Sequence, residues 1–149
     1  MLNYTRAYVK TIVGEQKSLV IELAGCKNNC DKCTNIARLE EGQPLTKERL
    51  EYIKSTFKKY VASICFVGGE SSQTELKDLC KAFRKEGFMT AVWTIFTERS
   101  MLNKALVDEL DYIMYGRCDQ PCIISEKYYD PFTDSYDWTV LKNTNIHSA

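Results

Sequence analysis

Cys26, Cys30 and Cys33 stand in the stretch "AGCKNNCDKCTN" at C-x3-C-x2-C spacing. Thiolates are soft ligands that suit zinc or the iron of iron-sulfur clusters, and cysteines this dense seldom serve packing alone. A structural zinc site closes a tetrahedron with four protein ligands, usually as two spaced pairs, whereas this loop supplies three. His147, the only histidine, becomes a fourth ligand only if the C-terminal end folds back. A four-iron cluster held by three thiolates keeps one iron free for an outside ligand, which makes it a site for chemistry. The spacing favours that open-iron cluster, with zinc and unligated or redox thiols as the alternatives.

The elements that must hold this loop follow from periodicity. "SLVIEL", residues 18 to 23, is a short β-rich run that delivers the chain into the cysteines. Beyond Pro44, Leu50, Ile53, Phe57 and Tyr60 form one apolar stripe at spacings of three and four, predicting a helix. "VASICFVGG" reads as a second strand ending at Gly68 and Gly69, and Ser72 with Glu75 gives the S-x-x-E start of a second helix. That helix carries Leu76, Leu79, Cys80 and Phe83 on one face and stops at Gly87. "FMTAVWTIF" predicts a third strand, Ser100 caps a shorter helix through Leu102, Ala105, Leu106 and Leu110, and "DYIMYG" predicts a fourth strand.

Strands alternating with amphipathic helices imply right-handed crossovers and a parallel sheet, with the cysteine loop and the double-glycine loop on one edge. Residues 117–149, rich in Asp and Tyr, show no sustained period and are expected to form an irregular C-terminal segment. The 149 residues suit a single domain spanning 1–149. Twenty basic residues balance twenty acidic ones, which argues against binding to nucleic acid or an anionic membrane by global charge. No apolar run approaches the roughly 20 residues of a spanning helix. Seven cysteines, an odd count with three crowded together, fit a reducing cytoplasm better than a secreted disulfide framework.

Other candidates carry bland readings. Cys118 and Cys122, at C-x3-C spacing, are too few to close a second metal site. Cys65 and Cys80 fall on an apolar strand and an apolar helix face and are expected in the core. Trp93 in its apolar strand is expected to pack. Two glycines after a strand, as in "FVGGE", are by themselves an ordinary turn into a helix. The Tyr-rich C-terminal segment suits either a partner contact or a cover over the sheet.

The cysteine loop after a first strand and "GGE" one βα unit later together resemble radical S-adenosylmethionine enzymes. That resemblance implies a partial, laterally open (β/α) barrel with parallel strands. It implies one [4Fe-4S] cluster on Cys26, Cys30 and Cys33, and S-adenosylmethionine on the open iron. Gly68, Gly69 and Glu70 match the motif that receives the methionine amino group, and Lys32, Thr34 and Thr94 are carried as further cofactor contacts. Lys32 stands where many members place an aromatic residue.

The length, the opening "MLNYTRAYVKTIVGEQKSLVIELAGC", Asn35, "VWTIF" and "LDYIMYGR" are similar to the small activases of anaerobic (class III) ribonucleotide reductases. The implied activity is formation of a glycyl radical on such a reductase, with an electron donor such as flavodoxin or ferredoxin. Activation of another glycyl-radical enzyme, a small-molecule radical reaction and a zinc-stapled interaction module without turnover are the alternatives. The chain departs from the activase pattern at "VGEQK", at Ser71 and at "NTNI".

Overall fold

The computed structural model describes residues 2–11, 16–24, 42–94, 96, 98–115 and 122–144. Its elements are β1 (Asn3–Thr11), β2 (Lys17–Leu23), β3 (Gln43–Pro44), α1 (Lys47–Phe57), β4 (Ser63–Val67), α2 (Gln73–Lys85), β5 (Met89–Thr94), a 3-10 turn (Arg99–Met101), α3 (Lys104–Val107), β6 (Tyr112–Tyr115), β7 (Cys122–Asp130) and β8 (Ser135–Thr144). The strands make one open, mixed sheet in the order β3-β1-β2-β4-β5-β6-β7-β8.

The four strands foreseen from the sequence, β2, β4, β5 and β6, lie side by side and parallel. Each crossover between them carries a helix or helical turn, so their C-terminal ends share one edge. Alternation along the strands then sorts side chains onto two faces. Leu19, Ile21, Ile64, Phe66, Val92 and Ile113 face the helices and pack with Ile53, Leu76, Cys80, Phe83 and Leu106. Phe83 is central, its ring tilted against Phe66 and edge-on to Phe88. Val20, Cys65, Val67, Ala91, Trp93 and Met114 form a second apolar cluster on the opposite face. Cys65 and Cys80 are both buried, as their apolar settings predict. Trp93 is likewise in the core.

Several expectations need correction. The sheet is not purely parallel, because β1 pairs antiparallel with β2 along nearly its whole length and an antiparallel pair stands at the other side. Thr5 to Lys10 interleave polar and apolar residues without a clean strand signature, and pairing with β2, buried from Ser18 to Leu23, supplies the order that propensity does not. The segment expected to be irregular contains the longest hairpin of the described residues, β7 and β8 turning through Pro131–Asp134 with Asp134 at φ 49°. Its helix-side positions are Lys127, Tyr129, Tyr136 and Trp138, amphipathic residues that hide a period of two from a hydrophobicity count.

The third helix is a single turn whose N-cap is Asn103, while Ser100 sits in the preceding 3-10 turn. Leu102, Leu106 and Leu110 are nevertheless buried. Thr46 caps α1, its hydroxyl accepting from the Arg49 N–H at 3.1 Å. Tyr60 lies past the helix end and is exposed rather than part of the stripe. Among the described residues, no helix is long and apolar enough to cross a membrane.

Candidate functional site at the C-terminal edge

β2 and β4 are neighbours in register, with Glu22 opposite Val67, so the segment after Leu23 and the turn after Val67 leave from adjacent points. Only Ala24 and Gly25 separate Leu23 from Cys26 in the sequence. Gly42, the next described residue, lies close against Ala24. Gly42 has φ +67°, and a Cβ there would overlap the Tyr4 carbonyl oxygen and come within 2.9 Å of the Ala24 Cβ. No residue with a side chain fits that crossing. Cys26, Cys30, Lys32, Cys33, Thr34 and Asn35 lie outside the described residues, as do Cys118 and His147; of Cys122, the backbone alone is described.

The double-glycine turn is described in full. Gly68 and Gly69 both have positive φ, 97° and 85°, a conformation that L side chains resist. The Gly68 N–H donates to the Trp93 carbonyl at 3.1 Å, which pins the turn to β5. A Cβ on Gly69 would lie 2.9 Å from both Leu23 Cδ1 and Leu76 Cδ2. The turn is therefore wedged between the last residue of β2 and the first buried turn of α2. Glycine here permits backbone to approach closely on the edge where the cysteine segment begins.

Glu70 follows, and its carboxylate accepts from the Thr94 hydroxyl at 3.0 Å. The same Thr94 oxygen accepts from the Phe96 N–H at 3.1 Å, so the hydroxyl is oriented from both sides. The structure thus brings Gly68, Gly69, Glu70 and Thr94 together, with Thr94 on the helix-facing side of β5 and Trp93 on the other. Ser72 occupies the N-cap of α2, yet its side chain makes no capping hydrogen bond. Gln73 instead braces the turn, donating to the Glu70 carbonyl at 3.2 Å and accepting from the Asn103 N–H at 2.6 Å. An open polar cleft of about 350 Å³ runs along Glu70 to Glu75 and Asn103.

No sequence motif marks a further polar group near this edge. Glu22 is 2% exposed, on the helix-free face, in a row across the sheet with Val67, Trp93 and Met114. Arg6 donates to it bidentately, Nε to Oε2 and Nη2 to Oε1, each at 2.7 Å. The Tyr8 hydroxyl adds a third bond at 2.9 Å. Burial, then the Glu22 charge and hydrogen bond, raise the Tyr8 phenol above its usual range, so it stays a neutral donor. The bond to Glu22 likewise raises the Arg6 guanidinium. The sequence did contain a signal: a carboxylate inside the apolar run "SLVIEL" must find a partner if the strand is buried on both faces.

Among the described residues no cluster of three His, Cys, Asp or Glu side chains could hold a metal. The donor set that can is the C-x3-C-x2-C thiolates, whose soft sulfur suits iron. Neither the curated proteins nor the solved structures provide a match. A family profile described as the 4Fe-4S single cluster domain matches residues 12–130, a span that takes in the cysteine segment, the double-glycine turn and the four parallel strands. With most of its length inside that match, the chain belongs to the 4Fe-4S single cluster domain family and is an iron-sulfur protein.

Proposed function

We propose that the chain is a radical S-adenosylmethionine activase that forms a glycyl radical on an anaerobic ribonucleotide reductase. The observation that carries this reading is that the end of β2, which leads in the sequence to Cys26, stands beside the Gly68–Glu70 turn on one sheet edge, within a chain of the 4Fe-4S single cluster family. In this reading Cys26, Cys30 and Cys33 hold three irons of one cluster, and S-adenosylmethionine takes the fourth. The open sheet is the sheet of a partial barrel. Its uncovered side admits a protein loop, as an enzyme with a protein substrate requires. Flavodoxin or ferredoxin supplies the electron, in the reducing cytoplasm that the cysteine content suits.

When bound, the cluster and its cofactor supply one-electron cleavage of the sulfonium to a 5'-deoxyadenosyl radical, which takes a hydrogen atom from a glycine Cα of the substrate protein. The chain's own residues have simpler tasks. Gly68 and Gly69 let backbone carbonyls reach an ammonium group without side chains intervening. The Glu70 carboxylate, held by Thr94, accepts from the same ammonium. Gln73 keeps the turn from shifting as the ligand arrives. Lys32 and Thr34 flank Cys33 in the sequence and are assigned to the cofactor with them.

The test is anaerobic reconstitution followed by reduction in the presence of S-adenosylmethionine. Iron and sulfide matching one four-iron cluster per chain, and release of 5'-deoxyadenosine, are expected. Added glycyl-radical reductase should then show the radical by electron paramagnetic resonance. Zinc without sulfide, or a cluster that never cleaves S-adenosylmethionine, defeats the proposal.

A further inference from the structure

Arg6 stands at the end of a row that crosses the helix-free face just below the candidate edge. Pairing sets it opposite Glu22, and Val67, Trp93 and Met114 follow in register from strand to strand. Gly68 comes directly after Val67, so Arg6 lies two strand spacings, roughly 10 Å, from the double-glycine turn. β3 pairs with β1 only at Asn3 and Tyr4, and from Thr5 onward no strand of the described residues lies outside β1. A polypeptide approaching the helix-free face from this flank meets Arg6 first.

A buried ion pair is a poor device for stability, because apolar residues of similar volume hold a sheet as well. What this pair does is immobilise an arginine that a surface strand would otherwise leave mobile. Nε and Nη2 are committed to the two Glu22 oxygens at 2.7 Å, and the guanidinium carbon lies 5.3 Å from the centre of the Tyr8 ring. The Tyr8 hydroxyl also donates to Glu22, so it fixes the carboxylate that fixes the arginine. These bonds use only part of the guanidinium's N–H set. Among the described residues no acceptor takes the remainder, and the Arg6 side chain is 57% exposed against 3% for Glu22. The outcome is a rigid fork whose charge is already balanced one for one. Balanced charge with N–H groups to spare suits a neutral acceptor such as a peptide carbonyl better than a phosphate or carboxylate.

We infer that Arg6 grips the main chain of the substrate protein, donating to a backbone carbonyl of the segment that enters over β1 toward the site, with Glu22 and Tyr8 as positioning residues. The inference rests on the activase reading and names the contact that holds that reading's protein substrate.

It is tested by titrating the cluster-loaded chain anaerobically with the glycyl-radical reductase, and by following glycyl-radical formation against reductase concentration. Arg6→Lys keeps a charge opposite Glu22 and loses the fork. Arg6→Met combined with Glu22→Met replaces the pair by apolar residues and should keep the wild-type melting temperature and cluster content. Each is expected to raise the dissociation constant and the KM for the reductase about tenfold, with kcat within about twofold of wild type. Should the double variant lose its cluster, Arg6→Lys decides by the same readout. Wild-type affinity in a folded, cluster-loaded variant shows a purely structural pair and overturns the inference, as does a wild-type chain that binds no reductase. A loss of affinity that disappears at high salt marks an anionic ligand and overturns the carbonyl assignment. Wild type that binds the reductase yet never yields 5'-deoxyadenosine defeats the activase reading alone, because the dissociation constants still decide the role of Arg6.

Discussion

The two edges of the parallel strands are built on opposite plans. At the C-terminal edge the chain turns through Gly42, Gly68 and Gly69, all at positive φ, and the Thr94 hydroxyl is directed onto Glu70. At the N-terminal edge the turns are tied by charge. Asp111 accepts from the Thr90 N–H at 2.9 Å, and the Thr90 hydroxyl donates to the Glu109 carbonyl. Arg84 reaches the Asp108 carbonyl, and Lys127 from β7 reaches the same carbonyl at 2.9 Å. Burial, with Arg84 nearby, lowers the Lys127 ammonium, the cost of drawing it under Tyr136 and Trp138. One edge is locked by side-chain bonds, with Gly87 at φ 93° as its one glycine turn among the described residues, and the other is built from several such glycines that leave backbone accessible.

Substitutions should therefore separate the edges. The largest effect is expected from Cys30→Ser, which should abolish the iron-sulfur absorption and lower the melting temperature to that of the apo protein, since a bound cluster adds to native stability. Gly69→Ala follows. Its Cβ meets Leu23 and Leu76 at 2.9 Å and φ +85° is strained, at a cost of about 1–3 kcal/mol. S-adenosylmethionine cleavage should fall further than that loss of stability explains. At the opposite edge Asp111→Ala leaves the buried Thr90 N–H without its acceptor and should cost about 1–3 kcal/mol in denaturant unfolding. Cluster content and cleavage in that variant should match wild type; a lost cluster would break the contrast between the edges.

Thr94→Val removes the donor to Glu70. About 1 kcal/mol of stability is expected to go, with a several-fold fall in 5'-deoxyadenosine formation. The smallest effect is a slope. Tyr8 titrates above its ordinary value of 10.0 in the folded chain, so its contribution is full below about pH 10 and is lost as pH rises through the folded value. Tyr8→Phe should flatten the alkaline fall in stability without removing it, because burial also raises Tyr112 and Tyr115. An unchanged alkaline slope would sever Tyr8 from Glu22.

A further contrast sets a buried thiol against one that binds iron. Cys80, between α2 and the sheet, is pushed up to about 12 by burial and stays a protonated core group. A thiol that serves iron must instead give up its proton, which a thiol buried like Cys80 resists.

The four parallel strands, the first two helices and the Gly87 stop were legible because each carries a local signal: a short apolar run, a stripe at helical spacing, or a glycine where the helix ends. The C-x3-C-x2-C spacing and "GGE" were legible for the same reason, since ligand chemistry and backbone freedom belong to residue type. Membership of the 4Fe-4S single cluster family agrees with the expectation of an iron-sulfur protein. What the sequence could not declare depended on partners distant along the chain. β1 becomes a strand because β2 offers it hydrogen bonds, and Glu22 becomes tolerable in the interior because Arg6 and Tyr8 arrive sixteen and fourteen positions before it. The hairpin of β7 and β8 alternates residues that each have an apolar body and a polar tip, so only pairing with β6 decides which side is in. Residue type and spacing determined the chemistry available to this protein. Tertiary structure decided which groups stand on the same edge, because adjacency across a sheet is set by strand order and register, which no local pattern encodes.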